Sequence, residues 1–387
     1  MADGKGFQWK VALILFGVLF LGVSDTQLVP PLLPLIAQDL GVTPGRAGIV
    51  VTSYSLAAAA FALFAGPISD RVGRKKVLTG GLVVFAAASF STYHVSSFGA
   101  LLILRAITGF AAGTLSTTSL SYAGDYYPYE QRGRAMGILS MGYFVAFVIG
   151  IPVGALVAAR FGWHVVFGGL SAAAAAMLAL TIAKLPALAA APHPPHKRAL
   201  KDHFLKIDRF AGIAAAFLTS GGLVGFLTYV GAWLNTTYQI GVDRIGLLFM
   251  ASGIAAVAAS PLSGWLSDHV GKRTVIIWAN VLLALMFVLV ARIQWGLWLV
   301  LGIAALSIAA SARQAPLHAL TTEIVGPEIR GEYIAVRNAA SQIGIAVVAT
   351  ISAYAFDSGG FLAVALISAG VTLLIPFCCL WLPEPGN

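Results

Sequence analysis

The chain has 387 residues, of which 59% are hydrophobic and 10% charged, with a formal net charge of +9 at pH 7. Soluble domains carry roughly 25% charged residues, so this composition excludes a water-soluble globular protein. With a mean hydropathy of +0.88, the bilayer must be the solvent for most of the chain.

Twelve apolar spans of helical length follow one another, at residues 11–38, 45–66, 76–94, 98–121, 134–158, 163–184, 209–234, 244–265, 273–291, 296–320, 333–355 and 360–382. Together they occupy nearly the whole chain. The first is too long for a secretory leader and carries Asp25 in its interior, so it reads as a retained span.

Span two ends in the polar block Gly66-Pro67-Ile68-Ser69-Asp70-Arg71-Val72-Gly73-Arg74-Lys75. The block returns 198 residues later, after span eight, as Gly264-Trp265-Leu266-Ser267-Asp268-His269-Val270-Gly271-Lys272-Arg273. The same offset relates Arg46 and Gly48 to Arg244 and Gly246, and Asp125, Arg132 and Gly133 to Glu323, Arg330 and Gly331. One register shared by three loops indicates an internal duplication, six spans followed by six of the same topology.

Between them, residues 185–208 hold Pro186, Pro192, Pro194, Pro195 and a basic run, which precludes a continuous helix. Leu200, Phe204 and Ile207 recur there at i, i+4 and i+7 among lysines, a pattern open to two readings, a short membrane-surface helix or a disordered linker. The expected architecture is an all-α membrane protein of twelve transmembrane helices. They form two pseudo-symmetric six-helix bundles, residues 1–184 and 209–387, joined by the cytoplasmic linker 185–208.

With both termini in the cytoplasm, most of the 24 Lys and Arg fall on that side. Arg46, Arg160, Arg244 and Arg292 lie outside, and Arg105, Arg313 and Arg337 lie within spans. That is the positive-inside rule, so the basic balance reports topology and not a nucleic-acid partner.

Ionisable residues inside spans are costly and mark function. Asp25 in span one and Arg105 in span four fall at similar depth, so they are expected to pair. The pair reads either as a proton switch, tipped by a moving helix or an arriving substrate, or as a static bridge between helices. Asp25 is the only acidic residue near the middle of a span. Arg313 in span ten has no charged counterpart in the first half, where Leu115 matches it. It points to a water-filled cavity or an anionic group, or it snorkels to the surface.

Interior arginines outnumber the single aspartate, which disfavours a dedicated cation exporter and suits neutral or anionic amphiphiles. No phosphate-binding loop, His-Glu-x-x-His, paired-cysteine metal pattern or Gly-x-Ser-x-Gly occurs. Direct ATP use, a bound metal, a cofactor and enzyme chemistry are therefore not expected. The adjacent Cys378 and Cys379 read as inert.

The six-plus-six topology, the basic central loop and the residues Gly66, Asp70, Gly73, Arg74 and Lys75 resemble the major facilitator superfamily over essentially the whole chain. Arg105, Gly109 and Gly113, at steps of four, resemble the span-four signature of its proton-driven members. Within it the chain resembles the drug/metabolite:proton antiporter branch. That branch's span-five glycine-proline pattern is altered here to Gly150-Ile151-Pro152-Val153-Gly154-Ala155, with the proline displaced by one residue. Ala146, Gly150 and Gly154 keep a spacing that permits close helix approach.

The resemblance implies a secondary active transporter working by alternating access, with proton-coupled export of a small organic compound by a monomer in a bacterial inner membrane. Its partners would be the substrate, protons and membrane lipids. Uptake or proton-independent transport of an anionic metabolite or lysolipid is a second reading, and a non-transporting membrane sensor a third. The resemblance also implies a cytoplasmic latch in which Asp70 and Arg74 hold the halves together, Asp125 partnering Arg74, with a weaker second copy at Asp268 and Gly271. Charges that only stop helices and set topology are the alternative. A substrate cavity lined mainly by spans one, four, seven and ten is implied as well. Its polar and aromatic candidates are Gln27, Tyr54, Ser116, Tyr143, Phe147, Tyr229, Trp233, Arg313, Gln314, His318, Asn338 and Gln342.

Overall fold

A computed structural model describes residues 7–188, 206–326 and 329–382. The described chain is helical throughout. Eight elements precede the central segment: α1 Trp9–Asp39, α2 Pro44–Ala47, α3 Ile49–Val72, α4 Arg74–Tyr93, α5 Phe98–Tyr126, α6 Tyr129–Val145, α7 Ile151–Phe161 and α8 Trp163–Lys184. Seven follow it: α9 Ile207–Tyr238, α10 Val242–Val270, α11 Lys272–Val290, α12 Leu297–Ala312, α13 Gln314–Glu323, α14 Arg330–Leu373 and α15 Ile375–Leu380. Among the described residues, 11 helical stretches are long and apolar enough to cross a membrane. Leu200 and Phe204, two of the three residues of the surface-helix pattern, lie outside the described residues; Ile207 opens α9.

Several spans depart from straight helices, each for a local reason. In the fifth, α6 and α7 are joined by a π turn at Ala146–Gly150, where the Ile151 N–H donates to the Ala146 carbonyl five residues back. The following residue is Pro152, which has no N–H to continue the regular ladder, and the wider turn accommodates it. The tenth span is interrupted at Arg313, between α12 and α13. The 44-residue α14 breaks at Gly360, with φ 69° and ψ −169°. Before that break the segment runs parallel to α9, Gly221 facing Gly344 and Gly225 facing Val348; after it the chain runs back, Gly222 facing Thr372 and Ser368.

The duplication is written into the backbone. Positive φ occurs at Gly41 and Gln239, at Gly73 and Gly271, and at Gly162 and Gly360, each pair at the repeat offset. Gly73 (φ 101°) and Gly271 (φ 95°) hold the turn inside the repeated block, a conformation that L side chains resist. One turn before it, the Ser69 and Ser267 hydroxyls each donate to the carbonyl three residues back, Gly66 and Gly264, at 2.8 Å. Arg74 pairs with Asp125, and at the matching positions Lys272 pairs with Glu323.

Contacts between the two sequence halves lie at the end of the molecule remote from Gly73 and Gly271. The Thr43 hydroxyl donates to Asp357 at 2.5 Å and the Gly45 N–H to the same carboxylate at 2.9 Å. Thr52 and Thr350 share a hydrogen bond of 2.9 Å, and the Tyr229 hydroxyl donates to the Gly45 carbonyl at 3.3 Å. Beneath these, Gly246 of α10 packs on Pro152 and Ala155 of α7, and Gly253 packs on Phe147. Among the described residues, no hydrogen bond or ion pair joins the halves on the side of the repeated block.

Candidate functional site

Two places in the structure carry chemistry. The first is built on α1, α3 and α5. Gly109 of α5 lies so close to α3 that a Cβ there would run into the Tyr54 carbonyl oxygen, and one at Gly113 would stand 3.1 Å from the Ala58 oxygen. These two glycines let α5 press against α3. The same contact sets Arg105, one turn before Gly109, with its guanidinium carbon 4.6 Å from the Tyr54 ring centroid. The Arg105 Nη1 donates to both Asp25 oxygens at 2.8 Å. Asp25 is fully buried and Arg105 only 2% exposed.

This is a charge pair with no solvent to spread its field. Removing one member of such a pair typically costs about 3–5 kcal/mol, because the other is left buried and uncompensated. The Tyr54 hydroxyl anchors the assembly from below by donating to the Gly22 carbonyl at 3.4 Å. The Arg105 Nε finds no partner among the described residues, so one donor is left over. Asp25 and Arg105, matched by depth alone in the sequence, are thus brought together, and Tyr54 supports them.

The second place lies among α9, α13 and α14. A cavity of about 50 Å³ is lined by Thr219, Ser220, Gln314, His318, Arg337, Asn338 and neighbours. Arg337 is 7% exposed. It donates to the Thr321 hydroxyl at 2.9 Å and to the His318 Nδ1 at 2.7 Å. Gln314, His318 and Asn338 of the sequence candidates share this wall. Arg313 does not. It is fully buried, donating to Asn280 Oδ1 at 2.8 Å and to the Thr219 carbonyl at 3.0 Å. Arg337, placed in a span by the sequence but not singled out, takes the position at the cavity that Arg313 was expected to hold.

The remaining candidates fall elsewhere. Tyr229 is buried at the contact between the halves, and Trp233 stacks on Phe361 at 4.4 Å between centroids. Phe147 faces Gly253 across the halves. Tyr143 is 45% exposed, while Gln27, Ser116 and Gln342 are half-buried.

At the repeated block Arg74 pairs with Asp125, the partner the resemblance implies. Arg74 bonds Asp70 at 2.8 Å, Ser69 at 2.8 Å and Asp125 at 2.5 Å, all within the first half. Among the described residues no partner from the second half bonds these charges, which join α3, α4 and α5 to one another. In the second copy Lys272 bonds Glu323, and Asp268 is exposed. Among the described residues no cluster of His, Cys, Asp and Glu is disposed to hold a metal.

Known proteins place this architecture. The sequence profile of the Major Facilitator Superfamily matches residues 15–241 and 212–387. The uncharacterized MFS-type transporter YceJ of Bacillus subtilis (strain 168) is 28% identical over 356 residues, 89% of each chain. The purine ribonucleoside efflux pump NepI of Escherichia coli O157:H7 is 29% identical over 238 residues, 61% of this chain and 59% of its own. The crystal structure of a D-xylose–proton symporter superposes with a TM-score of 0.82 at 16% identity, covering 98% of this chain and 99% of that one, and shows the shared fold. These relatives are transporters and not enzymes, and the chain, an integral multi-pass membrane protein, belongs to the Major Facilitator Superfamily.

Proposed function

We propose that the protein is a proton-coupled secondary transporter of the drug/metabolite:proton antiporter type, exporting a small organic compound by alternating access. The observation that carries this reading is the Asp25–Arg105 pair, fully buried in the membrane-spanning region and backed by the Tyr54 ring. A carboxylate in that position changes charge only by taking or releasing a proton, and burial makes either state sensitive to the distance of its arginine. Protonation frees Arg105 and lets α1 move against α5; deprotonation draws them together. Export accords with the relative NepI, an efflux pump.

The architecture we propose is twelve spans in two six-helix bundles, residues 1–184 and 209–387, joined by 185–208. The break at Gly360 supports it, because Gly162 turns the chain between α7 and α8 at the matching position of the first half. The excess of Lys and Arg on the side of the repeated block supports a cytoplasmic placement of that side and of both termini in a bacterial inner membrane. The conformation described is then open inward. In our reading Arg74 and Asp70 exchange partners with the second half when that side closes, and the protein works as a monomer.

Asp357 holds the opposite side shut. Asp357→Ala removes two hydrogen bonds to an exposed carboxylate, worth about 1 kcal/mol together. The expected result is a roughly fivefold shift toward the outward-open population, read as longer distances between spin labels at His94 and Arg292. The transport reading itself is tested in proteoliposomes, with purine ribonucleosides heading the substrate panel. An imposed pH gradient should drive accumulation that a protonophore collapses; flux indifferent to the gradient contradicts proton coupling.

A further inference from the structure

The repeat makes the distribution of buried charge informative. Asp25 and Arg105 correspond to Leu223 and Ile303 in the second half, and Arg313 and Arg337 correspond to Leu115 and Leu139 in the first. Each half has therefore acquired its own buried charges on a shared scaffold. The first holds an acid and a base that neutralise each other. The second holds two bases, and among the described residues no carboxylate lies within ion-pair reach of either.

The second half's cations are also arranged differently. Arg313 is sealed among neutral acceptors, whereas Arg337 borders the cavity. Thr219 links the two, since its carbonyl accepts from Arg313 and the residue itself lines the cavity. The guanidinium of Arg337 has five N–H donors and holds its proton in proteins. Two donors go to neutral acceptors, the Thr321 hydroxyl and the His318 Nδ1. These bonds orient the fork without cancelling its charge. An imidazole that accepts at Nδ1 is neutral, with its proton on Nε2, so His318 positions Arg337 without repelling it.

Among the described residues no acidic side chain lines the cavity. Its free volume of about 50 Å³ exceeds severalfold the roughly 10–15 Å³ that one water needs. Asn338, Gln314 and His318 are exposed at its wall, which gives a solute access. A cation in a membrane cavity with remaining donors and no counter-charge among the described residues is complementary to an oxyanion, and the planar fork of arginine matches a carboxylate two bonds at a time.

We propose that the second half carries an anion site centred on Arg337, which takes the carboxylate of a small organic anion, while the first half carries the proton. The site rests on the transport reading only for what happens to the anion after it binds; binding itself does not depend on it. Arg313 contributes charge to the region, and Asn338 and Gln314 supply neutral hydrogen bonds at the rim.

The test is isothermal titration of the purified full chain in detergent, without any gradient, using benzoate, its neutral isostere benzamide, and chloride. Benzoate is expected to bind and benzamide to bind at least tenfold more weakly, the size of one lost charge-assisted hydrogen bond. Arg337→Gln should weaken benzoate by tenfold or more, Arg337→Lys should fall between, and Arg292→Gln, an exposed cation elsewhere, should leave affinity unchanged. Arg337→Lys retains a cation, so the series remains readable if the glutamine variant does not fold.

Failure of benzoate to bind the wild type, equal affinity for benzamide, equal affinity in Arg337→Lys and wild type, or binding of chloride alone each overturns the carboxylate site. If benzoate binding follows Arg337 while gradient-driven transport is absent, the site stands and the transport reading falls. If transport is proton-coupled and benzoate binding ignores Arg337, the reverse holds.

Discussion

Asp25→Asn is expected to bring gradient-driven transport down to the level of empty liposomes while substrate exchange without a pH gradient continues. The asparagine keeps the size of the carboxylate and can still accept from Arg105, so the contact between α1 and α5 survives in weakened form. What it cannot do is change charge. Any step that needs Arg105 to be released by a proton, or recaptured after the proton leaves, then has no trigger. Asp25→Glu keeps the titrating group on a longer stem and should retain coupling at reduced rate. Transport by Asp25→Asn that still follows the pH gradient would place the proton carrier elsewhere.

The second prediction concerns the packing that makes the pair. Gly109→Ala should destabilise the protein by about 1–3 kcal/mol, the usual cost of forcing a methyl into a filled contact. The new Cβ would meet the Tyr54 carbonyl oxygen, and Tyr54 Cα at 2.9 Å. Backbone cannot swing aside as a side chain can, so α3 and α5 must separate and carry the Tyr54 ring away from Arg105. Gly113→Ala, whose Cβ would stand 3.1 Å from the Ala58 oxygen, should cost less. Gly80→Ala, with nothing within 4 Å, should be neutral or slightly stabilising in thermal unfolding, since alanine favours helix over glycine. Equal melting temperatures for the three variants would contradict the close approach. Gly109→Ala should also lower coupled transport in the fraction that folds.

Much of this molecule is legible in one dimension. The spans follow from hydropathy, and the repeat offset from the paired blocks at Gly66 and Gly264. The Asp25–Arg105 contact follows from depth, because opposite charges at one level of a membrane have few alternatives to each other. Gly109 and Gly113 stood out in the sequence only through the span-four resemblance; that they press α5 against α3 is seen only in the fold.

Other features depend on how helices meet. The cavity at Arg337 lies beside an interruption of the tenth span at Arg313, and hydropathy runs straight across that break. His318 and Arg337 sit on different helices with no shared motif, so only the fold brings Nδ1 to within 2.7 Å of the guanidinium. Arg313 drew attention because its match in the first half is leucine, yet the match of Arg337 is leucine too, Leu139. Which of the two reaches open space is a question of orientation. The clasp between Thr43 and Asp357 joins residues 314 apart, both near helix ends, where loop positions carry no periodic signal. The π turn before Pro152 was equally hidden, although the displaced proline marked the place.

Spin-label distances across both sides of the molecule bear on the whole mechanism at once. Arg71 and His269 are repeat-related and exposed beside the repeated block, and His94 and Arg292 are repeat-related and exposed on the opposite side. Alternating access driven by Asp25 predicts two populations in each pair, with one side's distances shortening as the other's lengthen when the pH is changed from alkaline to acid. Asp25→Asn, neutral like the protonated carboxyl, should hold the wild type's acid-side distribution at every pH. Distances that move together on both sides, or a pH response that survives Asp25→Asn, would contradict it.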